Sequence, residues 1–226
     1  MPIERVAVVG GTGDEGFGLA CRWAKAGIEI VVGSRDKGRA DEAAQNLKAL
    51  VAGARVQGLE NSDAVAASDI VCVTVPFAGQ AAIYKSLAEH FRDGALVIDC
   101  TVPVAAAVGG KATQVLGVWD GSAAEQAKAL LPKGIRLCAA FHSLAAAALN
   151  ELDTSLEGDV LVCGAKDGKE RVRLLVEAIP NLRFVDAGPL SNARLVEPLT
   201  ALLVGINHRY GIDRAGIEIT GLPPDA

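Results

Sequence analysis

Val6-Ala7-Val8-Val9-Gly10-Gly11-Thr12-Gly13-Asp14-Glu15-Gly16 joins an apolar run to a glycine turn, and apolar residues then recur at helical spacing as far as Ala26. Strand, turn and helix therefore follow in the order that a dinucleotide-binding βα unit requires. In that pattern Gly11 allows the tight turn, Gly13 the close approach of backbone to a pyrophosphate, and Gly16 the packing of helix on strand. The helix N-terminus presents free N–H groups and a positive dipole end to the phosphates. The next apolar run, Ile28 to Val32, closes in Gly33-Ser34-Arg35. An NAD site places an Asp or Glu at about that distance to hold the ribose hydroxyls. Ser34 and Arg35, with Arg39 a helical turn further on, offer a hydroxyl and guanidinium groups instead, which suit the additional phosphate of NADP.

Outward from this unit, apolar strand patterns alternate with helical ones. Strands are predicted at Ile3–Val9, Ile28–Val32, Arg55–Leu59, Ile70–Pro76, Ala95–Asp99, Ile135–Phe141, Asp159–Gly164 and Leu182–Asp186. Helices are predicted from Gly16, over Asp36–Ala52, Asp63–Ala67, Gln80–Phe91, Ala123–Leu131 and Lys166–Ile179, and as a single apolar helix over Asn192–Tyr210. Thr101–Lys111 reads as a loop and the end from Gly221 as a frayed tail. The expectation is an α/β fold, Rossmann-like and doubly wound, with a mainly parallel sheet covered on both faces. It divides into an NADP-binding Rossmann-like domain with extra strands, residues 1–186, and a small helical C-terminal segment, residues 187–226, that completes the acceptor cleft. In open sheets of this kind ligands lie outside the carboxyl ends of the strands. That criterion selects Gly11 to Asp14, Ser34-Arg35, Val75-Pro76-Phe77, Asp99 to Val102 and His142-Ser143-Leu144. Pro76 and Phe77 read either as contacts to the adenine or ribose side of a cofactor or as an ordinary strand end and core ring.

Composition narrows the function further. The chain has 226 residues, of which 50% are hydrophobic, and a formal net charge of −5. No apolar run reaches the roughly 18 residues of a membrane span, and there is no global attraction to nucleic acid or to an anionic membrane. The N-terminal residues Met1-Pro2-Ile3-Glu4-Arg5 lead directly into a strand pattern, without the regions of a signal peptide, so the expected location is cytoplasmic. Cys21, Cys72, Cys100, Cys138 and Cys163 are scattered and read as small core residues, with Cys100 at a strand end the one candidate for reactivity. His90, His142 and His208 show no metal-ligand spacing, so no metal is expected. No Ser-His-Asp or Cys-His arrangement stands out.

Three stretches carry a resemblance to the NADPH-dependent reductases of coenzyme F420, an 8-hydroxy-5-deazaflavin. They are Gly10 to Gly16 with Ile30 to Arg35; Ala139-Ala140-Phe141-His142-Ser143-Leu144 with Val160 to Gly164; and Asp186-Ala187-Gly188-Pro189-Leu190-Ser191-Asn192-Ala193-Arg194-Leu195-Val196-Glu197. The resemblance spans nearly the whole chain and implies hydride transfer between NADPH and F420. It implies that NADP lies on the N-terminal fold along Gly11, Thr12, Gly13, Asp14, Glu15, Val75, Pro76 and Phe77, and that Thr12, Ser34, Arg35 and Arg39 hold the 2′-phosphate. His142, Ser143, Leu144, Ser191 and Arg194 would shape the nicotinamide and deazaflavin end. The chain departs from the family pattern at Leu144-Ala145, where an isoleucine-proline pair is common, and at Phe77, where a tryptophan is expected. Read on their own residues, His142 is either a donor to a ring carbonyl or phosphate tail or a cap on nearby backbone, Ser191 a helix N-cap, and Arg194 a partner of Glu197 on one helix face. Two other functions remain open: an NADPH-dependent reductase of a flavin, metal chelate or imine, and a non-catalytic NADPH sensor. The apolar C-terminal helix is expected to be buried or to pair with a second copy in a homodimer.

Overall fold

A computed structural model describes residue 3 and residues 5–223. One eight-stranded sheet organises the chain, in the order β3-β2-β1-β4-β5-β6-β7-β8. The first half contains β1 (Arg5–Val9), α1 (Asp14–Lys25), β2 (Glu29–Ser34), α2 (Lys37–Leu50), β3 (Val56–Glu60), α3 (Asn61–Ala66), β4 (Ile70–Val73), α4 (Phe77–Leu87) and β5 (Leu96–Asp99). The second half contains α5 (Ala123–Leu130), β6 (Arg136–Ala139), α6 (Ala146–Asn150), β7 (Gly158–Gly164), α7 (Lys166–Glu177), β8 (Leu182–Asp186), α8 (Ala193–Val196) and α9 (Leu199–Tyr210). Strands β1 to β6 are parallel in the doubly wound order, and the chain reverses between β1 and β4, where such folds bind ligands. Among the described residues no helix is long and apolar enough to cross a membrane.

The central strands are apolar on both sides because helices cover both faces. On one face Val6, Val8, Ile70, Cys72 and Ile98 pack with Leu19, Trp23, Leu47 and Leu175. On the other, Ala7, Val9, Val71 and Val97 meet Val65, Tyr84, Leu87 and Ala127. All five cysteines are buried and unbridged, as expected of small core residues.

The structure departs from the sequence reading at both ends of the second half. Strand β7 runs antiparallel to β6, with Ala139 opposite Cys163, and β8 is parallel to β7. The carboxyl ends of β7 and β8 therefore point away from the ligand edge, which β1 to β6 alone define. The reversal follows β6 through Phe141, whose φ of 69° is left-handed, and the short helix α6, which the sequence reading passed over. The apolar helix predicted over Asn192–Tyr210 is broken into α8 and α9. Pro198 supplies no N–H and its ring cannot follow a continuous helix, so the axis restarts there. From Gly211 to residue 223 the C-terminal segment is not helical. It runs beside β7, where the Asp159 N–H donates to the Ile217 carbonyl at 2.7 Å and the Ile219 N–H donates to the Asp159 carboxylate at 2.6 Å. Of the predicted tail, residues 224–226 lie outside the described residues, as do Met1, Pro2 and Glu4 at the other end.

Candidate active site

The glycine turn is built as its sequence demands, with one change of role. The left-handed residue is Gly10, at φ 80°, rather than Gly11. Gly11 is confined differently: its N–H donates to the carbonyls of Val8 and Gly33, each at 3.2 Å, and a Cβ would lie 2.9 Å from the Val8 carbonyl oxygen. A Cβ on Gly16 would overlap the Thr74 hydroxyl and lie 2.8 Å from the Gly10 oxygen, so this glycine seats α1 on the β1–β4 crossover. Gly13 caps α1 from an extended conformation without a side chain, leaving the first N–H groups of the helix uncovered.

Beside this turn lies a cleft of about 1200 Å³, lined by Gly10, Thr12, Gly13, Ser34, Arg35, Asp36, Arg39, Thr74, Val75 and Pro76. Among the described residues neither the Arg35 nor the Arg39 side chain makes a hydrogen bond or ion pair, and Arg35 is exposed. Asp36 does not neutralise them in the way of an NAD-type acid. Its carboxylate caps α2 by accepting the Arg39 N–H at 3.0 Å. The buried Ser34 hydroxyl accepts the Asp36 N–H at 3.3 Å, which keeps its own proton available. Two unpaired guanidinium groups, a hydroxyl and a helix N-terminus thus border one open cleft.

The same cleft has a wall that sequence reasoning missed. Glu60, Asn61 and Ser62 line it where β3 passes into α3, and Gly79, Ala82, Ile83, Ser86 and Leu87 line it from α4, with His90 just beyond. The α4 positions recur every three or four residues, a stripe that could have been read from the sequence. Asn61 is 8% exposed, and among the described residues its side-chain oxygen has no partner. Of the remaining predicted cofactor residues, Asp14 lines an adjoining groove with Thr12, Phe17 and Arg39. Glu15 lines neither, and the charge of Asp99 acts on it. Phe77 opens α4, half-buried and outside the cleft lining.

The predicted acceptor residues are arranged differently. His142 and Ser143 are 4% and 5% exposed, and Leu144 packs on the core. The His142 carbonyl accepts from the Thr200 hydroxyl at 2.7 Å, and the Ser143 hydroxyl donates to the Asp159 carbonyl at 3.3 Å. Neither His142 ring nitrogen has a hydrogen-bond partner of full geometry among the described residues, although the ring is turned to the Asp99 main chain. Burial lowers its pKa to about 4, against a slight opposite pull from the nearby Asp99 main chain, so the ring is neutral at pH 7. Ser191 is not an N-cap; it sits in a short 3₁₀ turn, and its carbonyl accepts from Arg194 Nε at 2.8 Å. Arg194 pairs with Glu125 at 3.2 Å, not with Glu197. Glu197 instead lies almost fully buried across the N-terminus of α5, accepting from the N–H groups of Ala123 at 2.8 Å and Ala124 at 3.0 Å. Burial raises its pKa to about 7 in spite of those two bonds.

Two clasps fix this end. Arg22 of α1 donates to the carbonyls of Ala148, Leu149, Glu151 and Thr154 at 2.6–3.0 Å, holding α6 and the following loop on the sheet. Trp23 meets Phe141 edge to face, with ring centroids 5.6 Å apart, and so supports the left-handed residue that precedes His142. On the opposite face Asp99 is wholly buried, accepting from Tyr84 at 2.6 Å, Gln80 at 2.9 Å and the Thr101 N–H at 2.9 Å.

The glycine turn thus stands beside two cations, with Asp36 and Glu60 the acids on the same cleft. Residues 5–103 match the family described as NADP oxidoreductase, coenzyme F420-dependent. An F420-dependent NADP reductase of Methanothermobacter thermautotrophicus is 40% identical over 225 residues, covering 98% of this chain and 97% of that protein. The chain belongs to the F420-dependent NADP reductase family. The reductase of the same description from Methanocaldococcus jannaschii is 38% identical, covering 96% of this chain and 99% of its own length. Among solved structures, an Arthrobacter protein described as an F420-dependent NADP-reductase superposes with a TM-score of 0.79 at 21% identity, over 95% of this chain and 98% of that one. An imine reductase from Bacillus cereus gives 0.60 at 16% identity, over 92% and 67%. These last two likenesses bear on the fold alone.

Proposed function

We propose that this chain is an oxidoreductase that transfers hydride reversibly between NADPH and the deazaflavin coenzyme F420. The observation that carries the reading is the pair of unpaired cations, Arg35 and Arg39, beside Ser34 and the glycine turn in one open cleft, in a chain that matches F420-dependent NADP reductases along almost its full length. Thr12, Ser34, Arg35 and Arg39 hold the 2′-phosphate by charge-assisted hydrogen bonds. Gly11, Thr12, Gly13, Asp14 and Glu15 form the turn at the pyrophosphate, and Val75, Pro76 and Phe77 border the cofactor where β4 meets α4. The donor-free Asn61 oxygen suits an amino group of the adenine.

The chemistry is hydride transfer from one ring to the other, so the chain contributes binding, orientation and exclusion of water rather than a nucleophile or acid–base triad. We place the acceptor end at His142, Ser143 and Leu144, with Ser191 and Arg194 at its rim, and take residues 1–186 as the NADP-binding domain and 187–226 as the segment that completes the acceptor cleft. Thr200 and Glu197 support this division, because they tie the C-terminal segment to the His142 backbone and to α5. A second copy of the chain is the expected partner. The groove between α9 and the loop before α5 is lined by Val115, Pro198, Ala201, Leu202, Gly205 and Ile206, and Leu195 and Leu202 are more than half exposed.

The test is direct. Purified protein mixed anaerobically with NADPH and oxidised F420 bleaches the deazaflavin absorbance catalytically. Binding of NADPH with no bleaching at any pH would remove the assignment, and turnover with a flavin or imine alone would redirect it.

A further inference from the structure

Glu15 is the second residue of α1, and its direction is fixed by the helix that follows. Gly18, Leu19 and Arg22 share its face. Gly18 is pressed against Leu149, Leu19 enters the core, and Arg22 holds the α6 carbonyls. The Glu15 side chain therefore leaves α1 towards the ends of β5 and β6, between the glycine turn and the His142 loop. Among the described residues its carboxyl makes no hydrogen bond and no ion pair. No cation faces it. From β5 the charge of Asp99 acts on it and it in turn acts on the Cys100 thiol; beside Cys100 stands Cys72 of β4, the two sulphurs 3.4 Å apart. From α6 the only polar neighbour of this turn is Asn150, already donated to the Asp14 carbonyl at 2.8 Å. Arg39 and Glu42 of α2 lie across the opposite groove with Asp14. Glu15 keeps some exposed surface, yet the protein around its carboxyl and the nearby Asp99 push its pKa to about 8.

A second group without partners stands by Asp99. His142, 4% exposed, has two ring nitrogens without partners and lies against the Asp99 main chain. A buried ring and a half-buried carboxyl, both without hydrogen-bond partners among the described residues at this edge of the sheet, call for a polar ligand. A phosphate does not fit a carboxyl with no cation beside it. A primary carboxamide does: it needs one donor and one acceptor side by side, and a neutral carboxyl supplies both, its O–H to the amide oxygen and its carbonyl oxygen to the amide N–H.

Resting on the reading that NADPH binds along the glycine turn, we propose that Glu15 is a positioning residue that takes up the nicotinamide carboxamide as a neutral carboxyl and so sets the angle of the pyridine ring. Ionisation removes the donor and places a negative charge against the amide oxygen, so the contact weakens as pH rises through the Glu15 pKa.

The experiment is a titration of the full chain with NADPH, read by nicotinamide fluorescence, and with adenosine 2′,5′-bisphosphate, which has no nicotinamide, read by calorimetry. The wild type should lose about tenfold in NADPH affinity between pH 7.5 and 9.5, the worth of a lost pair of hydrogen bonds. Glu15→Gln, whose amide keeps a donor and an acceptor, should show a flat profile, and Glu15→Leu a uniform loss. Bisphosphate binding should be the same in all three, which also shows that the variants fold. A Glu15→Gln profile that keeps the wild-type slope, or equal losses for the bisphosphate, overturns the role of Glu15 while leaving the NADPH site intact. A wild type that binds neither probe overturns the underlying reading as well.

Discussion

The two ends of the ligand edge treat their polar groups in opposite ways. At the β2 tip, Arg35 and Arg39 border a large open cleft with no partners among the described residues; of the two acids on that cleft, Asp36 is occupied as a helix cap and Glu60 ends β3 opposite Ser34. At the β6 tip, the polar groups are buried or tied to one another: Arg194 to Glu125, Glu197 to the α5 N-terminus, and the His142 carbonyl to Thr200. The first end is prepared to receive an anion without rearrangement. The second is held by internal contacts, so its geometry depends on residues remote from the ligand, above all Arg22 and Trp23.

The largest effect should come from breaking the clasp at the β6 end. Arg22→Ala deprives four carbonyls of their donor and should lower unfolding free energy by about 3 kcal/mol in a denaturant titration. Because the lost contacts hold α6 and the His142 loop, KM for F420 should rise more than the dissociation constant for NADPH; equal changes would mean that the two ends are not separable.

At the open end, Arg35→Ala should weaken NADPH by about 1.5–3 kcal/mol and leave NADH nearly unchanged, as expected for one charge-assisted contact to the 2′-phosphate. Competition between the two nucleotides measures this, and parallel losses would place Arg35 off the phosphate.

The buried end also carries a pH signature. Glu197 has a folded pKa raised to about 7 from an ordinary 4.5. A carboxyl raised in this way favours the folded state below its unfolded pKa, and the contribution is lost as pH climbs through the folded value. His142, lowered to about 4, acts in the opposite sense as its ring must charge on acidification. It is common to the wild type and Glu197→Gln, so their difference isolates Glu197. The advantage of the wild type should shrink by about 1–2 kcal/mol between pH 5 and pH 7.5, read from thermal unfolding; a constant difference would contradict the assignment.

The smallest effect on folding is expected at the α9 groove. Leu202→Glu should change stability by no more than about 0.5 kcal/mol while turning the proposed dimer into a monomer in sedimentation analysis. An unchanged sedimentation coefficient would contradict an interface at α9.

The same contrast explains what the sequence made legible. At the open end the glycine turn and the cations lie in one contiguous run, Val6 to Arg39, in which the glycine spacing and the Ser34-Arg35 pair follow from chain-local chemistry, and the structure brings them to one cleft, whose further wall from Glu60 to Ser62 and α4 lies outside that run. Even there the left-handed position fell one residue earlier, at Gly10, because spacing alone does not say which of two adjacent glycines turns. The acceptor end is assembled from three separated stretches. Arg194 could be given a partner by helical spacing, but Glu125 reaches it only through the packing of α8 on α5. The antiparallel β7 was hidden for the same reason. Its apolar pattern is that of any buried strand, and its direction is set by Phe141 and α6, whose clasp by Arg22 and Trp23 has no local signal.

Direct passage of hydride between two stacked rings is the claim to which both ends contribute. It is tested by reducing F420 with NADPH deuterated on the transferred face of the pyridine ring. Deuterium should arrive undiluted at the hydride-accepting carbon of the deazaflavin, even in ordinary water. Protium at that carbon with normal turnover, or loss of the label to solvent, would contradict direct transfer.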